Sequence, residues 1–405
     1  MHLHPLPEEH RDTYREFLSY AFRPEDGPDW DDNSLQDPDI YFPRGLYDVP
    51  PETPTGDLDA SDLVTVCAFY DYEARVRGEF HPLPGISAVA SPPEARRRGH
   101  IATMLDQLLV EFRESGRYLS ALWPFKYEFY RRFGWATTNN HAHTSVPPEE
   151  LTAVSPAASG EFVRLDADDW ARLDAVYTES ATEDLAVTRT EGWWRHRVLR
   201  GWDTDPYIYG WQRDGDLRGY LVYRVKGDWE SRTMHVQELA GVDAEARQHL
   251  FRFLRDHDSQ VDEVIVERAH EGTRLIDDLT DPRAATVEIK PGPMVRLVDV
   301  PTALEAVSFP ADAEHSFVLD VSDDRCGWND DTFRVSVSAG EASVESTAAD
   351  PDATVEIGAL SQLLVGARPA VELARTEYLT VHESSAVEAL SAVFTERDVF
   401  LRERF

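Results

Sequence analysis

Residues 86–134, ISAVASPPEARRRGHIATMLDQLLVEFRESGRYLSALWPFKYEFYRRFG, constrain this chain more than any other stretch. Ile86 to Ser91 is short and half apolar, the pattern of a strand. Pro92 and Pro93 end it, because proline offers no N–H to a ladder and restricts the residue before it. From Arg98 onward Ile101, Met104, Leu105, Leu108, Leu109 and Phe112 recur at the helical period, and Gly116 supplies a C-terminal stop. Arg96, Arg97, Arg98 and Gly99 fall at that helix's first turn. There unpaired backbone N–H groups, the positive end of the macrodipole and guanidinium groups converge, which suits a phosphate. Gly99 lets the backbone come close to such a ligand. A triple arginine at a helix start also fits a solvated surface, so this turn alone leaves both readings open.

At 405 residues the chain is too long for one ordinary core and suggests two or three domains. A hydrophobic fraction of 42% is enough to pack them, and no apolar run reaches the length of a membrane span. The N-terminus lacks the basic and apolar regions of a secretory signal. Cys67 and Cys326 are too few for a disulfide framework, so a cytoplasmic location is the default expectation. Net charge is −35, from 75 acidic against 40 basic side chains, and the only lysines are Lys126, Lys226 and Lys290. Such a chain repels itself unless salt screens it, and it disfavours nucleic acid as a partner. The composition suggests a salt-rich cytoplasm. Metal is not expected. Asp29, Asp31 and Asn33 mimic the start of a calcium loop, but Ser34 stands where glycine is needed and Ile40 where the bidentate glutamate belongs. His81, His100 and His235 have no HxH or HExxH spacing and read as structural or surface residues. Trp30 is a candidate for a pocket rim.

Taken in order, Pro7 to Phe22 is expected as an amphipathic helix and 23–62 as a long loop. Leu63 to Phe80 reads as two strands joined near Asp71 to Glu73. After the central helix come a strand at Tyr118 to Leu122, a short helix bearing Tyr127 and Tyr130, and a strand over Trp135 to Val146. Val154 to Gly160 reads as a linker. The middle segment repeats the order: Val163 to Leu165, a helix capped by Asp166, a hairpin around Asp214-Gly215, then Val236 to Gly241, a helix and Val261 to Glu267. PPEARRRGH has a degenerate counterpart in DAEARQHL, which lacks both the arginine cluster and the glycine. Beyond Pro291 to Pro293, strands at Phe317 to Val321, Thr332 to Val337 and Ala342 to Ser346 and helical spacing at Leu360, Leu363, Leu364 and Leu390 give a mixed α/β, or α+β, domain.

Arg96-Arg97-Arg98-Gly99-His100-Ile101 resembles the R/Q-x-x-G-x-G/A signature of the GNAT superfamily of N-acetyltransferases, with Ile101 where that signature prefers Gly or Ala. LWPFKYEFYRRFGW, taken with PEARRRGH, resembles the enhanced-intracellular-survival (Eis) branch, in which a tyrosine stands in a YxRFG context. The order of later segments is similar to that family to the final residue.

The resemblance implies three domains: a catalytic GNAT domain over 1–150, a degenerate GNAT-like domain over 151–290, and a sterol-carrier-protein-like domain over 291–405 that supplies the C-terminus. It implies acetyl-CoA as co-substrate, with the main chain near Val89, Ala90 and Ser91 along its pantetheine. Arg97, Arg98, Gly99, His100, Ile101 and Ala102 would hold the phosphates, with Phe125 and Lys126 at further contacts. Tyr130 would be the general acid and the C-terminal carboxylate of Phe405 the general base. The acceptor would be a primary amine, on a polyamine, an aminoglycoside-like molecule or a lysine side chain. The assembly would be a homo-oligomer, a trimer or hexamer, with no membrane or nucleic acid partner. Two rivals stand beside this: a lipid carrier working through the last domain, and a protein that senses acetyl-CoA without turnover.

The charge balance makes one prediction directly. The melting temperature should rise steadily as potassium chloride is taken from millimolar to molar concentration, because screening relieves self-repulsion. A melting temperature flat across that range would show that the acidic excess is not a salt adaptation.

Overall fold

The computed structural model describes residues 1–27, 39–201, 204–273 and 275–405. Asp29, Trp30, Asp31, Asn33 and Ser34, weighed above as a metal or pocket stretch, lie outside the described residues. The chain divides into two compact units, one gathering the described residues of Met1–Asn33, Ile40–Thr138 and Pro293–Phe405, the other those of Ser34–Asp39 and Asn139–Gly292.

The first unit opens with β1 (His2–Pro5), α1 (Arg11–Phe22), β2 (Tyr41–Tyr47), β3 (Leu63–Val76), β4 (Glu79–Ala90), α2 (His100–Glu114), β5 (Leu119–Leu122), α3 (Tyr127–Arg131) and β6 (Ala136–Thr137). The second unit runs through β7 (Asn140–Val146), β8 (Glu161–Arg164), α4 (Trp170–Ser180), α5 (Glu191–Trp193), β9 (Tyr207–Arg213), β10 (Asp216–Gly227), β11 (Arg232–Gly241), α6 (Ala244–Arg255), β12 (Glu263–His270) and β13 (Thr286–Pro291). The chain then returns to the first unit as β14 (Met294–Leu297), α7 (Val300–Ala306), β15 (His315–Ser322), β16 (Asp331–Ser338), β17 (Glu341–Ser346), β18 (Ala353–Glu356), α8 (Ile357–Val365), α9 (Ala370–Leu373), β19 (Leu379–Val381) and α10 (Ser384–Val393).

Two seven-stranded sheets result, ordered β1-β2-β3-β4-β5-β14-β6 and β13-β7-β12-β11-β10-β9-β8, with a five-stranded sheet β17-β16-β15-β18-β19. Each pairs antiparallel except at three crossovers: β4 with β5 and β11 with β12, each across a helix, and β15 with β18, across the hairpin β16-β17, are parallel. These are mixed α/β architectures. The two copies of strand, helix and strand foreseen in the sequence are β4-α2-β5 and β11-α6-β12.

Several expectations change. Leu63 to Phe80 does not turn near Asp71; β3 runs unbroken to Val76 and turns at Arg77-Gly78, both at positive φ. Asp71 can sit in mid-strand because Arg117 grips its carboxylate with two hydrogen bonds of 2.8 and 2.5 Å. Tyr70, Tyr72 and Ala74, alternating with it, are buried. Pro82 and Pro84 are tolerated within β4 because β4 meets β5 only at Gly85 and Ile86, leaving its first half on the sheet edge. The expected loop over 23–62 contains β2, whose Pro43 and Gly45 mask its pattern. Trp135 to Val146 is not one strand: β6 joins the first sheet, β7 the second. In the same way β14 enters the first sheet between β5 and β6, although it follows the second unit in sequence.

One buried charge explains why β14 belongs there. Arg296 is wholly buried and pairs with Asp323 at 2.6 Å. Its other amino group donates to the Phe133 carbonyl, and its guanidinium lies 5.6 Å from the Trp135 ring. Asp323 also accepts from the amides of Arg325 and Cys326 and from Asn329 Nδ2, at 3.1, 3.2 and 3.0 Å. Gly134 is required for this: a Cβ there would stand 1.7 Å from Arg296 Nη1 and 2.6 Å from Ile357. Arg77 makes a second tie, donating to the Leu364 and Leu363 carbonyls at 2.7 and 3.1 Å and so capping α8.

Asp323→Ala should therefore strand a buried guanidinium and cost about 3–5 kcal/mol. Urea unfolding followed by tryptophan fluorescence should show the midpoint falling accordingly. A midpoint unchanged from the parent would mean that the ion pair contributes no net stability.

Candidate active site

β4 and β5 form a fork. They pair at Gly85 with Ala121 and Ile86 with Leu122, and β5 ends there. Beyond that point β4 carries a bulge: Val66 faces Ala90 and Ala68 faces Ser87, so Cys67 alone stands opposite two residues, and Ala88 has φ +54°. An extra residue bends a strand and increases its twist. The main chain of Val89, Ala90 and Ser91 thus lies past the last pairing with β5. The Ser91 hydroxyl is taken by Thr65 Oγ1 at 2.6 Å, which also bonds the Ala90 carbonyl at 2.7 Å. What the segment offers a ligand is backbone.

Past the fork, Pro93–Ala95 makes one 3-10 turn and α2 starts at His100. Gly99, its N-cap, has φ +86°, Arg97 has φ +58°, and no side chain caps the helix. The Thr103 amide is bonded to the Gly99 carbonyl at 3.1 Å, so the amides of His100, Ile101 and Ala102 have no acceptor within the helix. A Cβ on Gly99 would meet nothing within 4 Å, so its glycine is needed for backbone conformation and the space before it is open. Arg96 is committed, with Nε on the Ser91 carbonyl at 3.1 Å and its guanidinium 5.2 Å from the Tyr20 ring. Arg97 and Arg98 are exposed. Ile101 departs from the small residue of the signature because its side chain packs on the core beneath α2. His100 is buried, with Nδ1 lacking a hydrogen bond.

The second copy keeps the frame and loses the cradle. β11 pairs with β12 only from Thr233 to Val236, and a register shift lets Val222 and Tyr223 face Glu238 and Val236 with Gln237 between. At the start of α6, however, Asp243 accepts from the Ala246 amide at 2.8 Å and is paired with Arg218 at 2.5 Å. Those contacts, the amide first, hold its carboxyl below the usual range. A carboxylate already occupies the place where α2 leaves bare amides.

Tyr130 lies on α3, buried, with Phe129, Phe125 and Trp135 rings edge-on at 5.2, 5.4 and 6.3 Å. Burial, then the neighbouring Cys67, pushes its phenol well above the ordinary tyrosine range. Phe125 is 68% exposed and Lys126 pairs with Glu128 at 3.3 Å, so both stand at the surface beside α3. Phe405 packs its ring 5.3 Å from Tyr72 and 6.0 Å from Tyr70. A Cβ on Gly85 would come within 2.6 Å of that ring. Side chains alternate along a strand. Tyr70, Tyr72 and Gly85 therefore turn Phe405 to one face of the fork, while Phe69, Ile86 and Cys67 share the other with Tyr130. His81 and His235 are bonded to Tyr118 and Glu267, at 2.7 and 2.8 Å.

Sequence reasoning missed Gly85, Trp123 and Ala88. Gly85, between Pro84 and Ile86, was the one with a signal, since glycine inside a strand marks a close approach. Among the described residues no three His, Cys, Asp or Glu side chains are grouped to hold a metal. No helix among them is long and apolar enough to cross a membrane.

Residues 2–138 and 185–297 each match a family described as an acetyltransferase (GNAT) domain, and residues 300–402 match a sterol carrier protein domain. The N-acetyltransferase Eis of Mycobacterium tuberculosis is 30% identical over 356 residues, covering 82% of this chain and 83% of its own. An uncharacterized N-acetyltransferase of Streptomyces avermitilis is 28% identical over 374 residues, covering 86% and 87%. Among solved structures, a probable N-acyltransferase of Enterococcus faecalis superposes with TM-score 0.87 at 23% identity, over 100% of this chain and 99% of its own. Eis1 of Mycobacterium abscessus does so with TM-score 0.77 at 24% identity, over 100% of both chains.

The open helix start is testable by calorimetry with coenzyme A. Gly99→Glu places a carboxylate as Asp243 does in the second copy, and Arg98→Ala removes one cation. Each should weaken binding by tenfold or more, about 1.4 kcal/mol, with the melting temperature unchanged in Arg98→Ala and lowered in Gly99→Glu, whose backbone stands at φ +86°. Parental affinity in both variants would exclude this helix start as the phosphate site.

Proposed function

Because the chain belongs to the Eis family of GNAT N-acetyltransferases, we propose that the fork between β4 and β5 is the active site of an enzyme that acetylates primary amines. The observation that carries this reading is the contrast between two like helix starts, α2 uncapped behind Arg97 and Arg98 and α6 closed by Asp243. GNAT acetyltransferases use acetyl-CoA, which supplies the acetyl group as a thioester. The amides of Gly99 to Ala102 with Arg97 and Arg98 would hold its phosphates, and the main chain at Val89, Ala90 and Ser91, parted from β5, would line the pantetheine and polarise the carbonyl. Phe125 and Lys126, exposed beside α3, would touch its outer parts. The division of labour is then catalysis by 1–150, scaffolding by 151–290, and delivery of the C-terminus by 291–405.

Two protons must move. The Phe405 carboxylate takes one from the acceptor ammonium, whose nitrogen then bonds to the acetyl carbon as the carbon–sulfur bond breaks. The Tyr130 phenol gives one to the departing sulfur and is restored by the second proton that the nitrogen sheds as the amide forms. Burial suits Tyr130 to this, since a raised pKa keeps its proton in place at every pH at which amines are acetylated. The net charge of −35 favours cationic acceptors: polyamines, aminoglycoside-like amines or lysine side chains. We place the enzyme in the cytoplasm as a homo-oligomer, a trimer or hexamer, a reading that the two free, buried cysteines suit.

Thiol release in molar salt against a panel of amines tests the reading. The parent should release thiol only with an amine present; lipid binding by an inactive chain would support the carrier instead, and binding of acetyl-CoA without release the sensor. Tyr130→Phe should keep acetyl-CoA affinity and lose about 10²-fold or more in kcat. In the parent, activity should show no fall due to Tyr130 below about pH 10, the free-tyrosine value, because the folded pKa lies above it. A Tyr130→Phe enzyme as fast as the parent would return this tyrosine to the packing of α3.

A further inference from the structure

Two of the contacts that hold the end of the chain stand at the fork. Phe400 and Leu401 are buried and Glu403 is 3% exposed, so the tail runs inside the first unit rather than over it. The indole Nε1 of Trp123 donates to the Glu403 carbonyl at 2.5 Å. Trp123 follows β5 directly, one residue past the last pairing of the fork at Leu122, and Pro124 restricts its backbone. Two residues beyond Glu403, the Phe405 ring fills the slot left by the missing side chain of Gly85. The two anchors bracket the exposed Arg404 and set both the position and the direction of the final residue.

Two anchors are needed because proton transfer is intolerant of distance. A base must reach its proton over about 2.6–3.2 Å or through one water. One residue of extended chain spans roughly 3.5 Å. A ring in a slot can pivot, and with only that contact the end group would swing through more than the allowed range. A carbonyl pinned two residues earlier removes that freedom.

We propose that Trp123 is a positioning residue for amine acetylation: by holding the Glu403 carbonyl, its indole N–H sets the Phe405 carboxylate where it takes the acceptor's proton. This rests on the reading of Phe405 as the base.

Three variants test it. Trp123→Phe keeps a ring and removes the donor; Trp123→His returns a ring N–H; and one added glycine after Phe405 moves the terminal carboxylate while leaving Trp123 alone. Trp123→Leu serves in place of Trp123→Phe should the latter not fold. Acetyl-CoA affinity by calorimetry should be parental in all of them. In Trp123→Phe, kcat should fall by about 10- to 100-fold. The ascending limb of its pH profile should move to alkaline pH, toward the ionisation of the free acceptor, because the amine must then lose its proton to solvent. Trp123→His should recover part of both. A Trp123→Phe enzyme with the parental rate and pH limb, or one slowed without any shift and not improved by histidine, would overturn the assignment. The added glycine separates the two ideas. If that chain keeps parental activity, the base reading fails and the positioning role with it; if it is inactive while Trp123→Phe is parental, only the role of Trp123 fails.

Discussion

A guanidinium sealed from water has to be met by acid and carbonyl groups, and in this chain that requirement draws distant segments together. Arg296 reaches Asp323 and the Phe133 carbonyl, so β14, the turn after α3 and the turn after β15 meet at one buried point. Breaking such a pair is costly because a lone buried charge remains. The same contact gives the RFG motif a physical sense. Gly134 is there to let a guanidinium pass, and Arg132 and Phe133 flank a turn whose carbonyl is already in use. The tyrosine proposed as the acid is thus carried on a helix whose end is pinned by the last segment of the chain.

From that pin the rest of the candidate site follows by geometry. β14 fills the sheet position beside β5, so β5 cannot follow β4 after the bulge at Ala88 and the fork stays open. On one face of the fork stand the core of α2 and Tyr130; on the other the tail ends in the Gly85 slot. The second copy shows that a fork alone is not a cradle for a phosphate. It has the bulge and the parting strands, yet a single aspartate at the helix start supplies the negative charge that a ligand would otherwise bring to the amides.

Much of the fold was legible because it depends on short-range rules. Helical spacing from Ile101 to Phe112, prolines after Ser91, Asp214-Gly215 in a hairpin and Asp243 before α6 are local signals, and the elements stand where they point. The strands that were misread lack such signals or contradict them. Pro43 hides β2, and Asp71 suggests a turn until Arg117 is seen to hold it. Where Trp135 to Val146 breaks between two sheets depends on which strands arrive from elsewhere, and no local pattern encodes that.

By itself the sequence determined the class of protein, the duplicated strand-helix-strand order, the glycine and arginines at one helix start, and the extreme acidity, because each is a matter of residue type and near spacing. Tertiary structure decided what long-range packing alone can decide: that β14 returns to the first sheet, that Gly134 makes room for Arg296, that Gly85 makes room for Phe405, and that Trp123 holds the tail. These pairs are separated by well over a hundred residues in sequence. A glycine in isolation announces freedom of the backbone, and only the partner that fills the space beside it shows that the missing side chain was the point.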